Sequence, residues 1–215
     1  QQVMGEDFAA CRLIFGEADG FPGWTVDRYG SVLVSEVLSL GIERRRDTLY
    51  ALLREELSAL GVSVTCIYER NESLIREKEG MTCGKGAYRA PGLEDDPSGH
   101  VEICENGVYY HVDFINGQKT GYFLDQKYNR AAAGRLARGR RVLDCFTHTG
   151  AFALHCAAFG AESVTAVDVS ETALEQARRN AVRNGLESRM EFRCEDVFEL
   201  LTALGKSGEK PWDYI

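Results

Sequence analysis

Three acidic residues recur in the second half of the chain, Asp144, Asp168 and Asp196, each at the end of a short apolar run. Asp144 opens the segment Asp144-Cys145-Phe146-Thr147-His148-Thr149-Gly150, whose glycine lets the backbone approach a ligand closely. Asp168 follows 24 positions later (168 − 144), where a carboxylate can accept hydrogen bonds from both hydroxyls of a ribose. Asp196 stands at a third such end, where a carboxylate can take an adenine amino group. Each residue also has an ordinary reading. The Asp144 segment lacks the G-x-G-x-x-G spacing and can be a plain strand-to-helix turn. Asp168, Ser170 and Asp196 can be helix caps. Three acidic strand ends in consecutive strand–helix units are more informative together than singly.

The elements that must position these residues are legible in the hydrophobic rhythm. After about residue 125 the pattern alternates. Strands are expected at 141–145, 163–168 and 190–194, and helices at 151–159, 171–184 and 197–204. The apolar side of the second helix is expected to carry Ala173, Leu174, Ala177, Ala181 and Val182. A fourth strand begins at Asp213-Tyr214-Ile215. Alternation at this spacing means parallel strands with crossover helices, an α/β doubly wound, Rossmann-like sheet that binds ligands at its carboxyl ends. Before residue 115 the rhythm is different. Strands are expected at 11–15, 24–28, 32–38 and 65–69. A helix over 48–60 would bury Leu49, Leu52, Leu53, Leu57 and Leu60. Asn106-Gly107 between 101–104 and 108–114 marks a hairpin, because both turn positions need positive φ. The expected organisation is a small α+β domain over 1–115 and a cofactor-type domain over 116–215.

Composition narrows the function classes. The net charge is −8, which weighs against a surface that neutralises phosphate. No stretch approaches the roughly 18 apolar residues of a membrane span, and residues 1–10 show no leader pattern. The seven cysteines are scattered with no Cys-x-x-Cys pair, which disfavours a metal centre or disulfide framework. Reduced thiols and a cytoplasmic location are expected. Cys145 is read as a small buried hydrophobe rather than a nucleophile, and His148 as a turn residue bonding locally rather than a general base. Arg44-Arg45-Arg46 reads as a solvated helix start, with phosphate contact as the alternative.

The segment 142–150, Val-Leu-Asp-Cys-Phe-Thr-His-Thr-Gly, resembles the first motif of class I S-adenosylmethionine-dependent methyltransferases. In its Cys-Phe-Thr-His-Thr-Gly form it looks like the ribosomal RNA large-subunit methyltransferase I family, which methylates C5 of a cytosine. Val167-Asp168-Val169-Ser170 is similar to the second motif, and Cys194-Glu195-Asp196-Val197-Phe198 to the third. Gln118-Lys119-Thr120-Gly121-Tyr122-Phe123-Leu124-Asp125-Gln126, followed by Asn129-Arg130, resembles the family's segment before the first motif and is the most specific match. Residues 16–30 look like the family's central domain.

The resemblance implies S-adenosyl-L-methionine as cofactor and ribosomal RNA of the large subunit as substrate partner, with no membrane involvement. Asp144 and the loop Phe146, Thr147, His148, Thr149, Gly150 would hold the methionine part. Asp168 would hold the ribose, Asp196 with Val197 the adenine edge, and Val169 and Glu195 would also bind the cofactor. Phe123 and Gln126 would wall the pocket, with Lys119 and Thr120 close by. In the family pattern an Asp-Pro-Pro turn and the nucleophilic cysteine fall beyond Ile215, so no catalytic residue is expected within 1–215. A chain ending there would transfer no methyl group and would leave a sheet edge on which two copies could pair as a homodimer. An RNA-binding PUA domain would precede residue 1. Two readings compete: a methyltransferase acting on guanine N7 or a small molecule, and a nucleotide-binding module without catalysis.

Overall fold

The computed structural model describes residues 5–215, so the start of the segment searched for a leader lies outside the described residues. The chain forms two compact units. The first runs up to Ile103 and takes in Val112–Leu124; the second comprises Cys104–His111 and Asp125–Ile215. The division therefore falls at Leu124/Asp125 rather than at 115/116, and residues 104–111 belong with the second unit.

In the first unit, strands β1 (Ala10–Phe15), β2 (Trp24–Tyr29) and β3 (Val32–Val37) form an antiparallel meander. Helices α1 (Leu40–Glu43) and α2 (Arg46–Ala59) then cross to β4 (Cys66–Asn71), which pairs parallel to β3. After α3 (Ile75–Lys78), β5 (Gly84–Ala87) closes the five-stranded sheet in the order β1-β2-β3-β4-β5. Strand β5, with its two glycines and no alternation, carries no hydrophobic period and is absent from the sequence expectation. Trp24, Val26, Leu33, Val37 and Ile67 pack with Tyr50 and Leu57 of α2. Leu52 and Leu60 do not join them; they are 52% and 43% exposed, and Tyr50 fills the central position instead.

Asp27 lies under this sheet's surface and accepts both guanidinium donors of Arg12, at 2.8 and 2.9 Å, and the Thr120 hydroxyl at 2.5 Å. The Tyr29 hydroxyl is also within 2.9 Å of Thr120 Oγ1. Thr120, expected beside the cofactor, therefore has its hydroxyl committed to a buried polar network that anchors the 118–124 segment. Arg46 faces the Glu43 and Glu69 carboxylates at 3.2 and 3.5 Å, so this arginine serves the fold rather than a phosphate.

A hairpin of β6 (His100–Glu105) and β7 (Val108–Asp113) turns at Asn106 (φ 51°) and Gly107 (φ 81°), as the Asn-Gly pair predicts. Helix α4 (Lys127–Leu136) follows, then β8 (Arg141–Cys145), α5 (Ala151–Ala158), β9 (Ser163–Asp168), α6 (Glu171–Arg183), β10 (Met190–Cys194) and α7 (Val197–Ser207). The sheet is parallel in the order β10-β9-β8. Tyr214 bridges in parallel to Val142 on the free side of β8, which places the start of the fourth strand there. The order thus reverses at β8, making a switch point beside the Asp144 loop. Helix α5 is apolar nearly all round and buries Ala153, Leu154, Cys156 and Ala157. On α6 the buried face carries Asn180 in place of Val182, which is 64% exposed. At about 100° per residue, Val182 lies opposite Ala173 while Asn180 returns to its side. No helix among the described residues is long and apolar enough to cross a membrane.

Candidate functional site

Three adjacent parallel strands deliver Asp144, Asp168 and the Glu195–Asp196 pair to one edge of the sheet, because β8, β9 and β10 all end in register there. Asp144 sits one residue before the end of β8. Its Oδ2 accepts the Thr147 hydroxyl at 2.6 Å and the Ala153 backbone N–H at 3.0 Å. The carboxylate thus satisfies one of the orphan donors at the start of α5 and closes the loop on itself. Burial pushes its pKa up from the ordinary 3.8 to about 6, with the Asp168 charge adding to the rise and the two hydrogen bonds opposing it.

That rise has a testable sign. A folded-state value above the unfolded one means that the charged carboxylate costs stability in the native state. The cost is absent below the unfolded value near 3.8, grows as pH rises, and is complete above about 6. Asparagine at 144 keeps an oxygen for both donors and carries no charge. Asp144→Asn is expected to stabilise the fold by about 2 kcal/mol at about pH 8, with the gain vanishing near pH 4. Urea unfolding across that range checks it; a gain independent of pH would show that the carboxylate is not desolvated.

The loop after Asp144 is held in an unusual backbone path. Phe146, His148 and Gly150 have φ of 60°, 52° and 81°, left-handed values that only glycine takes freely. The Thr147 N–H donates to Val167 O and the Gly150 N–H to Thr147 O. A β-carbon on Gly150 would lie 2.9 Å from the Ala177 β-carbon, so the loop lies hard against α6.

Asp168 faces this loop: its Oδ2 accepts the His148 N–H at 2.8 Å and its Oδ1 the Ser170 N–H at 2.9 Å. The helix cap is Ser170, whose hydroxyl accepts the Ala173 N–H, so the capping alternative applies to Ser170 and not to Asp168. Asp196 does cap α7, its Oδ1 accepting the Glu199 N–H at 3.0 Å, yet the residue remains exposed. Val197 is 1% exposed and packs with Leu143 and Val167, so its side chain belongs to the core and only its backbone is left to face a ligand. Glu195 is exposed, its N–H bound to Asp168 O.

Around these polar ends stand uncovered apolar side chains: Phe146 (58% exposed), Val169 (66%) and Phe198 (70%). The Phe146 and Phe198 rings lie 5.5 Å apart. Phe198 is a residue whose place at this edge was not read from the sequence; its signal was an aromatic one step outside the buried face of α7. Burial lowers the His148 pKa, making the ring a weaker base, and raises the Cys145 thiol, so Cys145 is not primed as a nucleophile. Gln126 is held locally by Asp125 and Asn129, at 2.9 Å each. Phe123 belongs to the first unit, where the Lys119 ammonium lies 4.5 Å from its ring centroid.

The set fits the cofactor implied by the motifs: carboxylates and loop carbonyls suit a sulfonium and hydroxyls, and exposed apolar groups suit a flat base.

Comparison with known proteins points the same way. Residues 82–215 match the family model described as S-adenosylmethionine-dependent methyltransferase. The chain is 43% identical over 214 residues to "Ribosomal RNA large subunit methyltransferase I" of Shewanella denitrificans, covering 99% of this chain and 51% of that protein. The chain spans about half the length of the curated relatives it matches. A provisionally assigned SAM-dependent methyltransferase from Streptococcus mutans superposes with a TM-score of 0.78 at 25% identity, over 95% of this chain and 50% of that one. A second structure with the same TM-score, identity and coverage is of a provisionally assigned methyltransferase complexed with S-adenosylhomocysteine (SAH).

Proposed function

The chain belongs to the S-adenosylmethionine-dependent methyltransferase family, and from that premise we propose that it forms the cofactor-binding part of an enzyme that methylates large-subunit ribosomal RNA, at C5 of a cytosine. The observation that carries the cofactor assignment is Asp168. Two backbone N–H groups hold its carboxylate at the end of the middle strand and turn it toward the Asp144 loop. The substrate reading is supported by relatives above 40% identity named for that RNA.

In this reading Asp168 accepts the two ribose hydroxyls with the lone pairs that His148 and Ser170 leave unused. Asp196 takes the adenine amino group, and Val169, Phe146 and Phe198 wall the base. Glu195 and the Val197 backbone complete that edge. The 146–150 loop holds the methionine part by its backbone, with the Asp144 carboxylate behind it, and Gln126 walls the pocket. The cofactor supplies an electrophilic methyl group. C5 of cytosine becomes nucleophilic only after a thiolate adds to C6. Burial raises the Cys145 thiol, so this cysteine is not proposed as that nucleophile. An enzyme acting on ribosomal RNA would work in the cytoplasm.

Titration calorimetry of the full-length protein containing this chain should show binding of SAH and not of NAD. Labelled methyl from the cofactor should enter unmodified large-subunit RNA and be recovered as 5-methylcytosine. Label in guanine would move the acceptor to N7. SAH binding without RNA methylation would favour a small-molecule acceptor, and no SAH binding would refute the cofactor assignment.

A further inference from the structure

Helix α6 buries a fully enclosed polar side chain on its otherwise apolar face: Asn180, 0% exposed. Its Oδ1 accepts the backbone N–H of His111 at 3.0 Å, and its Nδ2 donates to the Thr149 carbonyl at 3.3 Å. The His111 N–H can only donate, which fixes the amide's orientation and leaves the NH2 for Thr149. One turn on, Asn184 grips Tyr109 of the same strand at both its N–H (2.9 Å) and its carbonyl (2.8 Å), as a neighbouring strand would. From the hairpin's other residue face, the Tyr110 hydroxyl reaches Ala151 O at 3.2 Å and His155 Nδ1 at 2.6 Å.

Of these contacts, that of Asn180 with Thr149 reaches the cofactor loop. The Thr149–Gly150 peptide has its oxygen tied to Asn180 and its N–H tied to Thr147 O at 2.9 Å. Gly150 is needed because the loop presses on Ala177, but glycine also makes a peptide flip cheap, since both signs of φ are open to it. A loop that must have glycine for space needs an external clamp for orientation. Ala177 sets the distance, and Asn180, three residues later on the same helix, sets the orientation.

We propose that Asn180 is a positioning residue for cofactor binding: it locks the Thr149–Gly150 peptide and couples the 104–111 hairpin tip to the loop that holds the methionine part. The proposal rests on the cofactor reading above. Asn180 touches no ligand; it acts through the Thr149 carbonyl. Asn184 grips the same hairpin without reaching the loop, and so separates coupling from mere anchorage.

The test compares wild type, Asn180→Asp and Asn184→Ala of the full-length protein, titrated with SAH and with adenosine, which lacks the methionine part. Asn180→Asp keeps an acceptor for His111 but sets a second acceptor against the Thr149 oxygen. SAH affinity should fall about tenfold or more while adenosine affinity changes by less than about twofold. Asn184→Ala should lower the melting temperature and leave both affinities unchanged. If Asn180→Asp weakens both ligands equally, or resembles Asn184→Ala, Asn180 is only structural and the proposal falls. Should Asn180→Asp not fold, the wild-type side-chain amide signal of Asn180 serves instead: it should shift on SAH addition and not on adenosine, and an unmoved signal overturns the proposal. Failure of wild type to bind SAH at all would instead sink the cofactor reading on which the proposal stands.

Discussion

Replacing Asp168 with alanine is expected to weaken SAH binding by about 1–3 kcal/mol, the scale of hydrogen bonds to a charged acceptor. The side chain sits where the middle strand ends, and its two oxygens each accept one backbone N–H. A carboxylate oxygen has two lone pairs, so each retains one for a ribose hydroxyl. The variant also frees the His148 N–H, which can loosen the loop, and the measurement must separate that from the lost ribose contact. A 2′,3′-dideoxy analogue of SAH makes the separation. If Asp168 takes the hydroxyls, the alanine variant should bind the analogue nearly as well as wild type does, while losing affinity for SAH. Equal losses for both ligands would mean that Asp168 only braces the loop. Unchanged affinity for SAH would contradict its place in the site.

The parallel sheet was legible because its strands alternate with helices and each ends in an acidic residue. Strands β8, β9 and β10 fall where the apolar runs predict them, and Asp144, Asp168 and Asp196 reach one edge as the topology requires. What the sequence did not disclose depends on long-range pairing. Val182 was placed on the buried side of α6 by composition, although its angular position opposes it, and Asn180 was passed over because a polar residue on an apolar face looks like noise. Its partners, His111 and Thr149, are 69 and 31 positions away. The role of Thr120, expected beside the pocket, was hidden for the same reason: the Asp27 carboxylate that holds it is 93 positions away. The short β5 has no period to read. Caps were ambiguous by nature, since Asp and Ser two residues apart both suit the role. Only the coordinates show that Ser170 caps α6 while Asp168 stays available.

Arg130→Met is expected to be the most damaging substitution in the second unit, costing about 3–5 kcal/mol of stability. Arg130 on α4 is 1% exposed and Glu105 at the hairpin tip 2%. They meet through two parallel bonds of 2.6 and 2.8 Å, the bidentate fork that guanidinium and carboxylate geometry favour. Around them Asn106 donates to Lys127 O at 3.2 Å, and His155 Nε2 lies 3.8 Å from Glu105. Burial lowers the pKa of His155, so its ring is held neutral beside the pair. Removing Arg130 therefore takes two charge-assisted bonds from the Glu105 carboxylate in a dry site. Replacing both partners, Arg130→Met with Glu105→Met, removes the buried charge together with its fork and should recover most of the stability. The check is urea unfolding of the single and double variants. A double variant as weak as the single one would mean that the pair matters for the shape it fills rather than for its charge. A single variant within about 1 kcal/mol of wild type would mean that water reaches Glu105 after all.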